Sequence, residues 1–247
     1  MKNEEKFNNL FSAFVLIGMT VALVLTTALK LGDSTGGKAL LLVSAFGSLM
    51  GVLSTVFSAN GNILTFLFGF LDVTIYGVIC FINWKNGGTG LGNALLHLFY
   101  FVPMQFIGLA QWRKRGASST EKPAARRLDA RGWLITSLLF LLGSVAVYFI
   151  LAHFDKSAAG TFLKWSVILD VISLVCNIFG QLFMSMAYMD QWIFWIGVNI
   201  FSILMWSWTL SQTGGSYALI YIIKYSFYLI NSINGLRIWL ALSRKEA

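Results

Sequence analysis

The sequence predicts an all-α membrane protein of about eight transmembrane helices. Three observations carry this: charge is scarce, apolar stretches recur at bilayer length, and the second half of the chain repeats spacings found in the first.

The chain has 247 residues, 57% of them hydrophobic and only 11% charged, with a mean hydropathy of +0.73. A water-soluble domain needs about 25% charged residues to wet its surface, so water-soluble folds are excluded. The apolar stretches approach about 20 residues, enough at about 1.5 Å per residue to cross a hydrocarbon core about 30 Å thick.

Helices are expected near 10–30, 38–59, 62–83, 91–112, 132–152, 162–187, 191–210 and 217–240. The first follows a charged head, Met1-Lys2-Asn3-Glu4-Glu5-Lys6. It is longer than a typical signal-peptide core and lacks a convincing cleavage site, which marks it as a retained helix. Breakers separate the others: Gly36-Gly37, Asn86-Gly87-Gly88 and Thr213-Gly214-Gly215. Pro123 falls in a loop, whereas Pro103 falls inside the fourth span and predicts a kink. Cys80 and Cys176 both lie within spans, as small apolar packing residues rather than a disulfide or a metal pair. Neither a metal nor a cofactor is expected.

A net charge of +8 suggests nucleic acid only until its placement is considered. The dense run Arg113-Lys114-Arg115, Lys122, Arg126, Arg127 and Arg131 has no interleaved aromatics to stack on bases. Between two apolar spans, these seven basic residues read as a cytoplasmic loop near anionic lipid headgroups. Counting spans outward then places both termini in the cytoplasm. The bias is not absolute, because Lys30, Lys38, Lys85, Lys156 and Lys164 fall on the opposite side. Trp112 and Trp239 mark inner helix ends, Trp84 and Trp208 outer ones.

At an offset of 127 residues, Gly87-Gly88-Thr89 falls on Gly214-Gly215-Ser216, and Gly108-Leu109-x-x-Trp112 on Gly235-Leu236-x-x-Trp239. This predicts a cytoplasmic N-terminus and extra helix (1–37), a first three-helix repeat (38–112), a basic loop and linker helix (113–161), and a second three-helix repeat with C-terminal tail (162–247). Three spans plus one linker make an even number, so the repeats run parallel. Transporters built this way hold their substrate near midplane between the repeats.

Polar side chains inside spans point to such a site. In Trp192-x-x-Trp195-x-x-x-Asn199 the spacing places two indoles and an amide on one helical face. The indoles can stack on a flat ring and the amide can hydrogen-bond its substituents; an interfacial tryptophan pair with a helix–helix amide contact has the same pattern. Subtracting 127 gives Thr65, Phe68 and Asp72. Asp72 requires a cation, a proton or structural hydrogen bonds. Further stripes are Asp170, Ser173, Asn177 and Gln181; His97, Phe101 and Gln105; and Lys224, Tyr225, Tyr228, Asn231 and Asn234. They line a cavity or glue helices together.

With the tryptophan motif, the ending Tyr228-Leu-Ile-Asn231-Ser232-Ile-Asn234-Gly235 and the 3+1+3 plan, the chain resembles the PnuC family of nicotinamide riboside transporters across roughly Lys38 to Leu242. The resemblance implies a fold related to the SWEET sugar transporters and a homotrimer in the bacterial inner membrane. It implies facilitated diffusion of nicotinamide riboside, trapped by a cytoplasmic kinase that forms no stable complex. It also implies that Trp192, Trp195 and Asn199 contact the ligand, with Gln105 and Asn231 as companions. A delocalised pyridinium charge suits indole faces, Asp72 offsets it at longer range, and Tyr228 and the other stripe residues serve the ribose and carboxamide.

Other classes fit less well. A retinal protein would use Lys224, but the position one turn before it is Ile220 and the fourth span has no acid. An intramembrane protease would use Asp72 and Asp170, but neither follows Gly-x-Gly, and His97 and His153 are isolated. No catalytic residue is expected. Thiamine or another nucleoside remains the alternative substrate.

Overall fold

The computed structural model describes residues 2–33, 38–85, 91–118, 120–154, 165–213 and 216–244. The glycine pairs at 36–37, 87–88 and 214–215, and Lys156 and Lys164, lie outside them. The helices are α1 (Lys2–Asp33), α2 (Lys38–Ala59), α3 (Thr65–Lys85), α4 (Leu91–Leu96), α5 (Val102–Lys114), α6 (Ala130–Phe154), α7 (Trp165–Ser185), α8 (Gln191–Thr213) and α9 (Ser216–Ser243). Six segments of the described residues are long and apolar enough to cross a membrane: Lys6–Gly32, Lys38–Ala59, Thr65–Ile82, Asn93–Lys114, Ala130–Ile150 and Val167–Ser185. α8 and α9 have 23 and 28 residues, and even the shorter would extend about 35 Å. Their polar stripes dilute their hydropathy. The protein is a multi-pass, all-helical membrane protein.

The apolar exterior follows from that solvent. Leu138, Leu139, Leu141, Leu142 and Phe149 of α6 are exposed, a pattern suited to lipid tails and unfavourable in water. α1 begins well before the expected residue 10, because its charged head continues the helix.

The fourth span is not one regular helix. A π-turn, His97–Phe101, joins α4 to α5, and the Val102 amide donates to the His97 carbonyl. Pro103 has no amide to give and its ring crowds the preceding turn. Widening that turn absorbs the misfit, so the predicted irregularity lies just before the proline.

α3 packs on α2 and on the fourth span; α8 packs on α7 and α9. Between these groups α2 meets α9, and α5 meets α7. α1 lies against α2 and α9, while α6 leans on α7.

The α2–α3 and α7–α8 turns are built alike. Gly61 (φ 67°) and Ala187 (φ 57°) both take left-handed backbone. Their amides donate to Ser58 O at 3.0 Å and Met184 O at 3.1 Å. Each carbonyl also receives an indole N–H: Trp239 Nε1 to Ser58 O at 3.0 Å, Trp112 Nε1 to Met184 O at 2.7 Å. Gly61 needs no Cβ there, so Gly61→Ala should cost about 1 kcal/mol, read as a lower midpoint in detergent unfolding.

The basic loop is a folded strap across one end of the helices. The Arg126 amide donates to Ala187 O and the Met189 amide to Arg126 O, both at 2.8 Å. The Leu128 amide donates to Asp190 Oδ2 at 2.8 Å, and the Arg126 guanidinium lies 4.3 Å from the Tyr188 ring centroid. Burial pushes the Asp190 carboxyl above its usual range, against the pull of that amide and of Arg127. Ala117 and Ala125 join a core with Phe66, Trp112, Trp192 and Trp239. This packing and pairing go beyond the topogenic loop near lipid headgroups that composition alone suggests.

Candidate functional site

The α8 motif faces inward. Trp192 is 1% exposed, packed against Trp239 with ring centroids 6.5 Å apart. Its ring also closes on Gly235, where a methyl group would stand 2.7 Å from it, so the close approach requires glycine. Its Nε1 has no hydrogen-bond partner among the described residues. One turn on, Trp195 is half-buried over Gly180 of α7, where an added Cβ would lie 3.0 Å from the indole. Buried Asn199 donates through Nδ2 to Trp195 O at 2.8 Å and to Ser232 Oγ of α9 at 3.0 Å. The sequence spacing therefore brings all three to one interior face, with α7 and α9 as its walls.

A second polar group lies between α2, α3, α5 and α9. Gln105 is 3% exposed; its Nε2 makes one long bond to Phe101 O at 3.4 Å, and its Oε1 has no partner. That oxygen reaches over Gly69, where a Cβ would meet it at 2.6 Å and Ser54 Oγ at 3.0 Å. Asp72, one turn along α3, rests its carboxyl on Gly51 of α2: a Cβ there would lie 2.8 Å from Cγ and Oδ2. Asp72 interacts electrostatically with Lys224 and Tyr228 of α9, and Lys224 Nζ stands 5.5 Å from the Tyr228 ring centroid. Asn231, fully buried, ties α9 to α2 through Nδ2 to Thr55 O at 3.1 Å.

Two predicted site residues have other work. Thr65 Oγ1 donates to Ser54 O, and Ser54 Oγ donates to Thr65 O, both at 2.9 Å, locking α2 to α3. Phe68 stacks on Phe57 at 5.3 Å and 11°. The pairing of these positions with the tryptophan motif also shifts. The turn residues Gly61 and Ala187, the acceptors Ser58 and Met184, and the rings Phe66 and Trp192, closing on Gly108 and Gly235, each stand 126 apart. The offset of 127 holds from Gly87 and Gly214 onward, because the second segment is one residue longer between Trp192 and Gly214 than the first between Phe66 and Gly87. Phe66, Gly69 and Val73, rather than Thr65, Phe68 and Asp72, thus stand opposite Trp192, Trp195 and Asn199.

The α7 stripe bonds mainly within its own helix, and Ser185 carries the link to α5. Asn177 Nδ2 donates to Ser173 O at 2.9 Å, Gln181 Nε2 to Ser185 Oγ at 3.2 Å, and Ser185 Oγ to Met104 O of α5 at 3.0 Å. Asp170 is exposed on α7, while Asp72 faces α9, so they make no shared-proton pair. His97 Nδ1 contacts Asn93 O at 2.9 Å. Among the described residues no cluster of three His, Cys, Asp or Glu could hold a metal. Lys224 does have an acid near it, Asp72 from α3, which helix-local spacing missed. Ser54, Gly69 and Gly51 were also missed, because small residues become informative only once their neighbour across the helix is known.

The family described as nicotinamide mononucleotide transporter matches residues 41–241. The chain belongs to this family. Among similar members, the nicotinamide riboside transporter PnuC of Neisseria mucosa is 31% identical over 209 residues, 83% of this chain and 74% of that protein. That of Haemophilus influenzae is 27% identical over 205 residues, 82% of this chain and 81% of the relative. A crystal structure of the vitamin B3 transporter PnuC has a TM-score of 0.66 at 27% identity, covering 95% of this chain and 93% of the other. Membership in a transporter family, rather than the lack of a counter-ion, now weighs against a retinal protein. It accords equally with the missing Gly-x-Gly-Asp setting of a protease.

Proposed function

We propose that this chain carries nicotinamide riboside by facilitated diffusion across the bacterial inner membrane, with both termini cytoplasmic and the ligand held between two parallel three-helix units. The units are α2, α3 and α4–α5, and α7, α8 and α9, with α6 as linker and α1 outside. The matching cross-contacts, α2 with α9 and α5 with α7, and the matching indole bonds across them support that plan.

The carrying observation is the inward face of Trp192, Trp195 and Asn199 in a chain whose relatives are named nicotinamide riboside transporters. Half-buried Trp195 is the better stacking platform for a cationic pyridinium. Trp192, covered by Trp239 and Gly235, contributes its unpartnered N–H. A buried donor or acceptor without a partner costs free energy, so Trp192 Nε1 and Gln105 Oε1 suit a ligand's hydroxyl and carboxamide. Asn231 and Tyr228 complete the wall towards α2. Thr65 and Phe68 support it from behind, through Ser54 and Phe57.

Riboside fits this interior better than mononucleotide. A phosphate dianion needs several cationic or N–H donors, whereas Asp72 and Lys224 balance each other and the arginines gather at the strap. Phosphorylation by a cytoplasmic kinase would trap the product without a stable complex, and a homotrimer with lipid around it is the expected assembly. Another flat solute, such as thiamine, is the second candidate. In calorimetry the purified protein should bind nicotinamide riboside more tightly than nicotinamide or nicotinamide mononucleotide, and Trp195→Ala should weaken it at least about tenfold through lost stacking. Equal affinity for all three ligands, or none for any, defeats the assignment.

A further inference from the structure

We infer that Lys224 is a resident counter-cation for Asp72 that the positively charged solute replaces on binding, so that this pair sets the preference for cationic over neutral solutes. The inference rests on the proposed riboside site and adds a residue and a selectivity rule to it.

Asp72 lies on α3 and Lys224 on α9, helices that belong to different three-helix units. Glycine at position 51 lets the Asp72 carboxyl settle against α2. Gly69 and Asp72 are one helical turn apart on α3, as Gly51 and Ser54 are on α2. The carboxyl therefore sits one turn above the unpartnered Gln105 oxygen, on the same interior face. Asn231 bonds Thr55 O and Trp239 bonds Ser58 O, so α9 runs parallel to α2. Tyr228, one turn before Asn231, stands level with Gly51, one turn before Thr55, and with the Asp72 carboxyl that rests on Gly51. The Lys224 ammonium is poised by the Tyr228 ring, 5.5 Å from its centroid. On its other side Lys30, which donates to Tyr221 at 3.5 Å, repels it.

A carboxylate in a bilayer interior is costly without a partner, and Lys224 supplies one to the empty protein. Its four-carbon stem is flexible and its charge compact, so it can withdraw along Tyr228 while a pyridinium takes the place beside Asp72. The exchange favours a solute that brings its own positive charge to Asp72 in place of the ammonium. A neutral solute of the same shape leaves Lys224 in place and forfeits the attraction to Asp72.

Wild type, Lys224→Gln, Asp72→Asn and the double variant should each be titrated with nicotinamide riboside and with its uncharged 1,4-dihydro form. Lys224→Gln should raise the ratio of cation to neutral affinity on the order of tenfold, by removing a like charge several ångströms away. Asp72→Asn should lower the ratio by a similar factor, and the double variant should return near wild type. An unchanged or lowered ratio in Lys224→Gln, or an unchanged one in Asp72→Asn, overturns the inference. Should Asp72→Asn not be recovered folded, Lys224→Gln still decides, because damage to the fold does not selectively improve cation binding. If both single variants fail to fold while the double variant folds, the pair is purely structural and the inference is lost. Wild type that binds neither form sinks the riboside assignment itself; wild type that prefers the cation with variants that leave its ratio unmoved sinks only this step.

Discussion

Replacing either Trp112 or Trp239 by alanine should cost about 3–5 kcal/mol of stability, the range for deleting a large buried aromatic. Both indoles are 0% exposed and their ring centroids are 5.1 Å apart. Phe66 meets Trp112 edge-on at 4.8 Å, so alanine would leave a cavity where the helix ends converge beneath the strap. Phenylalanine should cost far less, about 0.5–1.5 kcal/mol. It keeps most of the packing, and the bereaved carbonyls at Ser58 and Met184 retain the turn amides of Gly61 and Ala187. Unfolding midpoints in detergent, measured for the four variants, should group by substituent and not by position. Equal losses for phenylalanine and alanine would show that the indole hydrogen bond, not ring packing, dominates. A large difference between positions 112 and 239 would show that the two halves are not mechanically alike.

Much of this architecture is legible in the sequence, because a bilayer constrains a chain severely. Backbone groups must be paired internally, so helix number and approximate length follow from apolar runs such as Lys38–Ala59, whose expected and observed ends coincide. That Trp192, Trp195 and Asn199 share one helical face follows from 3.6-residue periodicity; that the face points inward comes from the packing of α7 and α9 around it. What spacing cannot supply is the partner on another helix. Asp72 looks solitary in sequence, and only folding sets Lys224, more than a hundred residues away, within its field. Thr65 and Phe68 are expected at a ligand by counting a fixed offset, whereas a one-residue difference in length shifts that register; in the fold Thr65 bonds Ser54 and Phe68 stacks on Phe57. The charges of the strap suggest only a loop near lipid headgroups, while its alanines and Pro123 carry the packing: Ala125 is 1% exposed. Small residues leave no periodic signal, so the features that depend on close approach were the ones overlooked.

Close approach also yields the sharpest functional test. Gly69→Leu should abolish detectable binding of nicotinamide riboside, a loss of at least about 100-fold, while the protein still folds at a cost of about 1–3 kcal/mol for overpacking. The first atom added at this position would stand 2.6 Å from Gln105 Oε1 and 3.0 Å from Ser54 Oγ. A leucine must push the Gln105 amide out of the interior and put an apolar group where the ligand's polar edge would lie. The stability cost is limited because Gln105 is a flexible side chain with one long hydrogen bond to lose. Binding suffers more, since the amide is displaced and the volume is occupied at once. Gly143→Leu on α6 is the matched control: among the described residues nothing beyond its own turn of helix lies within 4 Å of its added Cβ, so affinity should stay at the wild-type value. Titration of both variants beside their unfolding midpoints separates the outcomes. Undiminished affinity in a folded Gly69→Leu protein would move the ligand away from α3 and Gln105 and confine it to the α8 tryptophans. Parallel loss in the Gly143→Leu control would mean that affinity follows global stability rather than the space between the two helical units.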